Sequence, residues 1–448
     1  MITVWMAILA ITFVLSVRNT ALGCCMLIFT RILVPENVRL TPLVDISLNT
    51  GVIGVIGLFL LRDFLLHPQY IKVVIKDPYT KILVLFAALL LLSIVFGSCF
   101  NTQRQLSYWW QYCITDIFPA IAVIASTKNK KEIQWLLYSF LIAVLINTVY
   151  GVITVIIGAN PYPIMMVLLY PLEGEGISIT DDIDLVMRGG VITTSSTFVH
   201  ANSWGIFLPL AFAFHFFLFN YTKKKMCLWA IFLLSICIFL SGKRTAIVSY
   251  FCFWLGYWWY SEKKTKKVIA LYGIGFLILV LILVYTIPQL ESARGLVESS
   301  VFFWDDSLRE KNDIGGSSMA LRIDQTLYPW VDISDNILFG HGFGYNKVYF
   351  SMRGLHPVLL GFETILSQAV CNGGVLGVFT WIYFFVYSYK YSALKSSNKV
   401  YPKMLTLCAL AIAVANGLDL IMFYVLFIVL FNRVYKFNIT LNDMVKNG

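Results

Sequence analysis

The chain has 448 residues, 59% of them hydrophobic and 13% charged, with a formal net charge of +10. A soluble domain is closer to half apolar and a quarter charged, so this balance excludes a soluble globular fold. The positive charge lies in short segments between apolar runs and so points to membrane topology, not to nucleic acid. The cysteines are scattered, mostly inside apolar runs (Cys227, Cys237, Cys252, Cys408), and give neither a disulfide framework nor metal-ligand spacing. The expected fold class is all-α: a single polytopic transmembrane domain over 1–448 with about 12 or 13 spans. No soluble domain, repeat or low-complexity segment interrupts it.

In chain order, the first apolar run lacks a basic leader region and a small-residue cleavage site, and reads as a retained span. Apolar runs at roughly 2–17, 20–35 and 45–62, interrupted by Arg18, Arg31 and Arg39, make two or three spans. From Arg62 onward the charges set the topology. Basic residues fill the segments 63–80 (Lys72, Lys76), 127–132 (Lys128, Lys130, Lys131), 223–225, 263–267 and 389–403 (Lys390, Lys395, Lys399, Lys403), which are therefore expected in the cytoplasm. Two loops differ. Residues 158–196 carry Glu173, Glu175, Asp181, Asp182 and Asp184 against Arg188, and residues 288–360 carry nine acids against six bases. Both are expected outside the cytoplasm, and 288–360 is the largest polar segment of the chain. The last apolar block, 404–435, is expected to be two spans turning near 417–419.

This alternation puts several cations on the outer face: Arg188, Arg322, and the pair Lys243 and Arg244 in the turn Ser241-Gly242-Lys243-Arg244-Thr245. Each has two readings. One is an interfacial anchor whose stem lies in the apolar layer. The other is a phosphate ligand, since guanidinium groups bind phosphate oxygens in a bidentate way and stay charged. His200 and Asn202 open a span and read either as capping and helix-bonding groups or as part of a site. His215, deeper in that span, reads as a polar residue facing the bundle, and His67 takes no role. Gly340-His341-Gly342-Phe343-Gly344 has no strand-to-helix context and is not a nucleotide loop; its glycines suit a sharp turn or close approach to a ligand. Gly373-Gly374-Val375-Leu376-Gly377 reads as a flat face for helix packing. Trp304, Tyr328 and Trp330 belong to the aromatic belt or stack on sugar rings.

Several of these pieces fall in the order of one pattern. Arg188-Gly189-Gly190 followed by Ser196-Thr197-Phe198-Val199-His200-Ala201-Asn202 resembles the motif that opens a mid-chain span in the O-antigen ligase and O-antigen polymerase (Wzy) superfamily. The turn at Ser241 to Thr245 resembles its Ser-Arg-Gly-Ala turn. Leu321-Arg322-Ile323 and then Asn336 to Gly344 resemble its Arg-bearing helix and Pro-Leu-Phe-Gly-x-Gly element. The segment from Glu363 to Gly377 resembles the one ending in Gly-Leu-Leu-Gly. The resemblance covers roughly 186–385. Ligases of the superfamily carry a His eleven residues ahead of the first Gly of that last element; here Glu363 stands there, ahead of Gly374, and His356 lies seven residues earlier.

The resemblance implies a metal-independent, cofactor-free glycosyltransferase of the bacterial cytoplasmic (inner) membrane, with its active site on the outer face. Its partners would be undecaprenyl-diphosphate-linked glycans, membrane lipid, and flippase and chain-length regulator proteins. The Glu363 departure places the chain on the polymerase side, joining repeat units of O-antigen, capsule or exopolysaccharide. The alternative is a ligase moving glycan onto a lipid A core. A lipid-linked sugar flippase or transporter would call for paired repeats with broken helices and charges near the midplane; no such internal symmetry is evident, and the outer loop is larger than a transporter requires. On the polymerase reading Arg244 and Arg322, with Lys243 secondary and Arg188 beside them, hold the donor diphosphate. Glu363 or His356 takes the acceptor's proton, and His200, Asn202, Gly340, His341 and Gly342 line the substrate loop.

Overall fold

The computed structural model describes residues 2–35, 38–41, 44–162, 165, 187–188, 191–192, 194–198, 200–287, 294, 305, 307, 319–362, 364–394, 399–416 and 421–437. They form an α-helical bundle. The N-terminal runs make three helices, α1 (Ile2–Arg18), α2 (Thr20–Leu33) and α3 (Leu48–Leu66). Then come α4 (Gln69–Lys76), α5 (Pro78–Phe96), α6 (Thr102–Tyr112), a π-helical turn at Cys113–Ile117, α7 (Phe118–Ser126) and α8 (Lys130–Ile157). The middle of the chain gives α9 (Ala201–Thr222), α10 (Lys225–Leu240), α11 (Arg244–Tyr260) and α12 (Lys264–Thr286). The loop contributes α13 (Met319–Asp332) and α14 (Tyr345–Arg353), ahead of α15 (Ile365–Ala393), α16 (Val400–Asn416) and α17 (Ile421–Lys436). Two short antiparallel hairpins, Arg39–Thr41 with Val44–Ser47 and Met187–Arg188 with Val191–Ile192, were not anticipated.

Local chemistry sets the helix limits. Asp77 caps α5 by accepting from the Tyr79 N–H at 2.9 Å, with Pro78 at the first position, where its missing N–H is not needed. Asn129 and Glu132 form a reciprocal capping box on α8, whose far end stops at Gly158 in the left-handed region. By length and composition, six described helices can cross a membrane: α3, α5, α8, α9, α12 and α15. Shorter apolar helices accompany them at Trp5–Arg18, Thr20–Leu33, Lys225–Leu240 and Val400–Val414. The final apolar block is two helices, α16 and α17; the turn expected near 417–419 lies outside the described residues.

Helices α9 and α17 are buried on nearly every side and form the centre of the bundle. Their aromatic rings interlock: Phe217 stacks on Phe431 at 4.1 Å and Phe214 on Phe427 at 4.6 Å. Helix α12 is the opposite case. Leu271, Tyr272, Ile278 and Leu279 are exposed along it, as suits a lipid-facing helix.

Candidate active site

The two glycine motifs interlock. Helix α15 starts from a Thr364 cap, whose Oγ1 accepts the Ser367 N–H at 3.0 Å, and runs to Gly374. There φ is 56° and ψ −143°, a conformation closed to other residues, and the helix is interrupted. The loop fills the break: Val375 donates to the Ile337 carbonyl at 3.0 Å, Leu376 to that of Leu338 at 3.0 Å, and His341 N–H to that of Cys371 at 2.8 Å. A side chain at Gly340 would stand 2.7 Å from the Cys371 carbonyl and the Gly374 nitrogen. Gly374 is therefore a socket for the loop, which corrects the expected flat helix-packing face at that position; at Gly373 an added Cβ would meet Ser93 of α5 at 3.8 Å, as helix packing requires. The other side of the loop is tied to the α5–α6 connection. Gln105 Nε2 donates to the His341 and Gly342 carbonyls at 3.0 and 2.7 Å, and Ser98 N–H to that of Gly340 at 3.1 Å. Gly340, Gly342 and Gly344 all have positive φ, so the expected sharp turn is present.

This docking gathers Asp332, His341 and His356, with the Cys371 thiol beside them. Asp332, the last residue of α13, lies with Oδ2 3.1 Å from His341 Nε2 and Oδ1 3.7 Å from His356 Nε2. Cys371 Sγ donates to Asp332 at 3.8 Å, and His341 Nδ1 meets the Ser98 hydroxyl at 2.9 Å. The Tyr345 ring covers that of His341 at 4.1 Å. Partial burial pushes the Asp332 carboxyl up, but the hydrogen bond and charge of His341, with His356 behind, outweigh it and hold Asp332 below its ordinary value. Sequence reasoning named His341 and His356 but missed Asp332 and Ser98. The available signal was an acid at the end of an amphipathic helix, nine residues ahead of His341.

His356 is buried, and its Nδ1 accepts the backbone N–H groups of Val358 and Leu359 at 3.1 and 2.9 Å. A paired bridge to Leu360 closes the turn. Its ring packs on Tyr328 and Tyr349. Burial pushes its imidazole below the ordinary histidine value, against the opposing pull of Asp332. Folding therefore favours the neutral form. The stability it adds is complete above about pH 6.5 and declines as pH falls from there through the folded value. The amides of Val358 and Leu359, corrected for intrinsic rates, should exchange faster at pH 5.5 than at pH 7.5. Equal protection at the two values would contradict this.

The second assembly surrounds the turn between α10 and α11. Lys243 and Arg244 stand at the N-terminus of α11, both half-buried, after Gly242 at φ 62°. The Lys243 stem lies over Gly205 of α9, where an added Cβ would come within 2.8 Å of Lys243 Cγ. Glycine there lets the cation lie beside the mouth of α9, where His200 and Asn202 stand half-buried; His200 makes no side-chain cap bond. The adjoining Ser196 and Thr197 are structural. Ser196 Oγ donates to the Asn147 carbonyl and Thr197 Oγ1 to that of Ile32, both at 2.6 Å, stitching this segment to α8 and α2. Arg188 lies in the second hairpin and Arg322 in α13, with their side chains outside the described residues, as are Glu363 and Trp304 entirely. Trp330 is exposed on α13. His215 is buried in α9, its Nδ1 on the Ala211 carbonyl at 2.7 Å. Among the described residues no group of His, Cys, Asp and Glu is arranged to hold a metal ion.

Residues 229–382 match a family model described as O-Antigen ligase. That span holds the Lys243–Arg244 turn, the docked loop with Asp332, His341 and His356, and the Gly374 socket. The match supports the O-antigen ligase and polymerase superfamily and, with it, a ligase- or polymerase-type function in a membrane glycosyltransferase-like enzyme. No match was found among curated proteins.

Proposed function

We propose that the protein is a polymerase of lipid-linked oligosaccharide repeat units. It transfers a growing glycan from one polyprenyl diphosphate carrier to the sugar end of another lipid-linked unit. The observation that carries the reading is Glu363, which takes the place of the histidine that ligases of the superfamily bear ahead of Gly374. In this reading the docked loop lies on the outer face of the bacterial cytoplasmic membrane, and the chemistry is displacement at the anomeric carbon. Negative charge develops on the departing diphosphate. Arg244 and Arg322, with Lys243 and Arg188 in support, stabilise it as fixed cations at a partly dry interface.

The acceptor hydroxyl also needs a base. His356 is poorly suited, because its Nδ1 lone pair is engaged by two backbone N–H groups and its Nε2 faces Asp332. The ligase alternative differs only in the acceptor, a lipid A core in place of a second repeat unit. The test is elongation in vitro from lipid-linked repeat units with no lipid A core present.

A further inference from the structure

Resting on the polymerase reading, we infer that His341, oriented by Asp332, is the base that takes the acceptor's proton, and that the Ser98 hydroxyl marks where the acceptor hydroxyl sits. An ionised carboxylate only accepts, so the 3.1 Å contact of Asp332 Oδ2 with His341 Nε2 places the imidazole proton on Nε2. Nδ1 then carries the lone pair, and the Ser98 O–H at 2.9 Å is placed to donate to it rather than to the more distant Gly340 carbonyl at 3.4 Å. A general base must stand about 2.6–3.2 Å from the hydroxyl it deprotonates, and this pair already has that geometry. Ser98 is exposed, so a sugar hydroxyl can reach the same nitrogen from solvent.

The rest of the loop holds the ring still. Its backbone N–H is on the Cys371 carbonyl, its own carbonyl is on Gln105, and Gly340 and Gly342 flank it in conformations that favour glycine. Tyr345 covers one face, leaving the side chain only 16% exposed. Asp332 is kept ionised and fixes the tautomer, as a positioning residue should. In the step, the acceptor O–H proton passes to Nδ1. The acceptor oxygen forms the new bond to the anomeric carbon, and the bond from that carbon to the phosphate oxygen breaks, its electron pair leaving with the diphosphate. The imidazolium pairs with Asp332 and then releases its proton to water.

The test uses the full-length protein in proteoliposomes. The probe is the lipid-linked oligosaccharide extracted from producing cells that lack the gene, serving as both donor and acceptor. His341→Ala should lower the elongation rate by ~10²–10⁴-fold, with the same concentration dependence on the probe. Added imidazole should restore part of the rate, which a purely structural histidine would not allow. Asp332→Asn should lower kcat at unchanged KM, and Asp332→Glu should recover part of it. Ser98→Ala and Glu363→Gln should each lose far less than His341→Ala.

A His341→Ala variant that elongates at the wild-type rate would overturn the assignment. So would a loss in His341→Ala that imidazole leaves untouched while Asp332→Asn is fully active. A Ser98→Ala variant as inactive as His341→Ala would pass the role to the serine. A dead Glu363→Gln beside an active His341→Ala would return it to Glu363. Wild-type protein that elongates nothing would instead remove the polymerase reading itself, and the assignment with it.

Discussion

Arg244→Ala and Arg322→Ala should each abolish long polymer while leaving the protein in the membrane at normal amounts. On the proposed reading the departing group is a diphosphate, and the charge it gathers must be met by cations already in place. Removing one such preorganised donor typically lowers turnover by ~10²–10³-fold. Arg244 is the first residue of α11, so the positive end of that helix adds to its field. Lysine should rescue either position only in part, because a point charge cannot reproduce a bidentate fork. The readout is glycan chain length in cells and elongation rate in proteoliposomes. Wild-type chain length from either alanine variant would reduce that arginine to an interfacial anchor.

Gly374→Val should be nearly as damaging, although residue 374 has no reactive group. Its φ of 56° is closed to a β-branched residue, with strain on the order of 1–3 kcal/mol. The added side chain would also collide with the Ile337 carbonyl, which belongs to the loop seated in the helix break. Overpacking of that kind adds roughly 1–3 kcal/mol. The cheapest relief is to undock the loop, which breaks the Val375 and Leu376 bonds to it and releases the His341 N–H from Cys371. Elongation should then be lost, and trypsin should cut after Lys347 or Arg353 far faster than in the wild type. Normal elongation by Gly374→Val would mean that the interlocked glycines do not hold the working site.

The helical membrane architecture was legible in the sequence because long apolar runs broken by charges have few other solutions. The same pattern indicated that 404–435 would divide in two, as α16 and α17 do. The turn at Gly340 to Gly344 was legible because glycines spaced two apart announce positive φ. What could not be read was which segments meet. Gly374 looks like any small residue on a helix face until the loop carbonyl that occupies its missing side chain is seen. Asp332 is one acid among nine in its loop, and Ser98 lies far from it in the chain. Only docking joins them through His341. His356 is the converse case. Its residue type suggested a base, and what the sequence could not show is that its Nδ1 accepts two backbone N–H groups of the turn it closes.

The most direct measurement of the central claim uses purified protein in proteoliposomes supplied with one lipid-linked repeat unit and no lipid A core, followed by separation of the carrier-bound products by length. The account predicts a ladder that grows in steps of one repeat unit on the polyprenyl carrier and collapses in Arg244→Ala. No growth in this mixture, with transfer of intact glycan once lipid A core is added, would contradict it and make the protein a ligase.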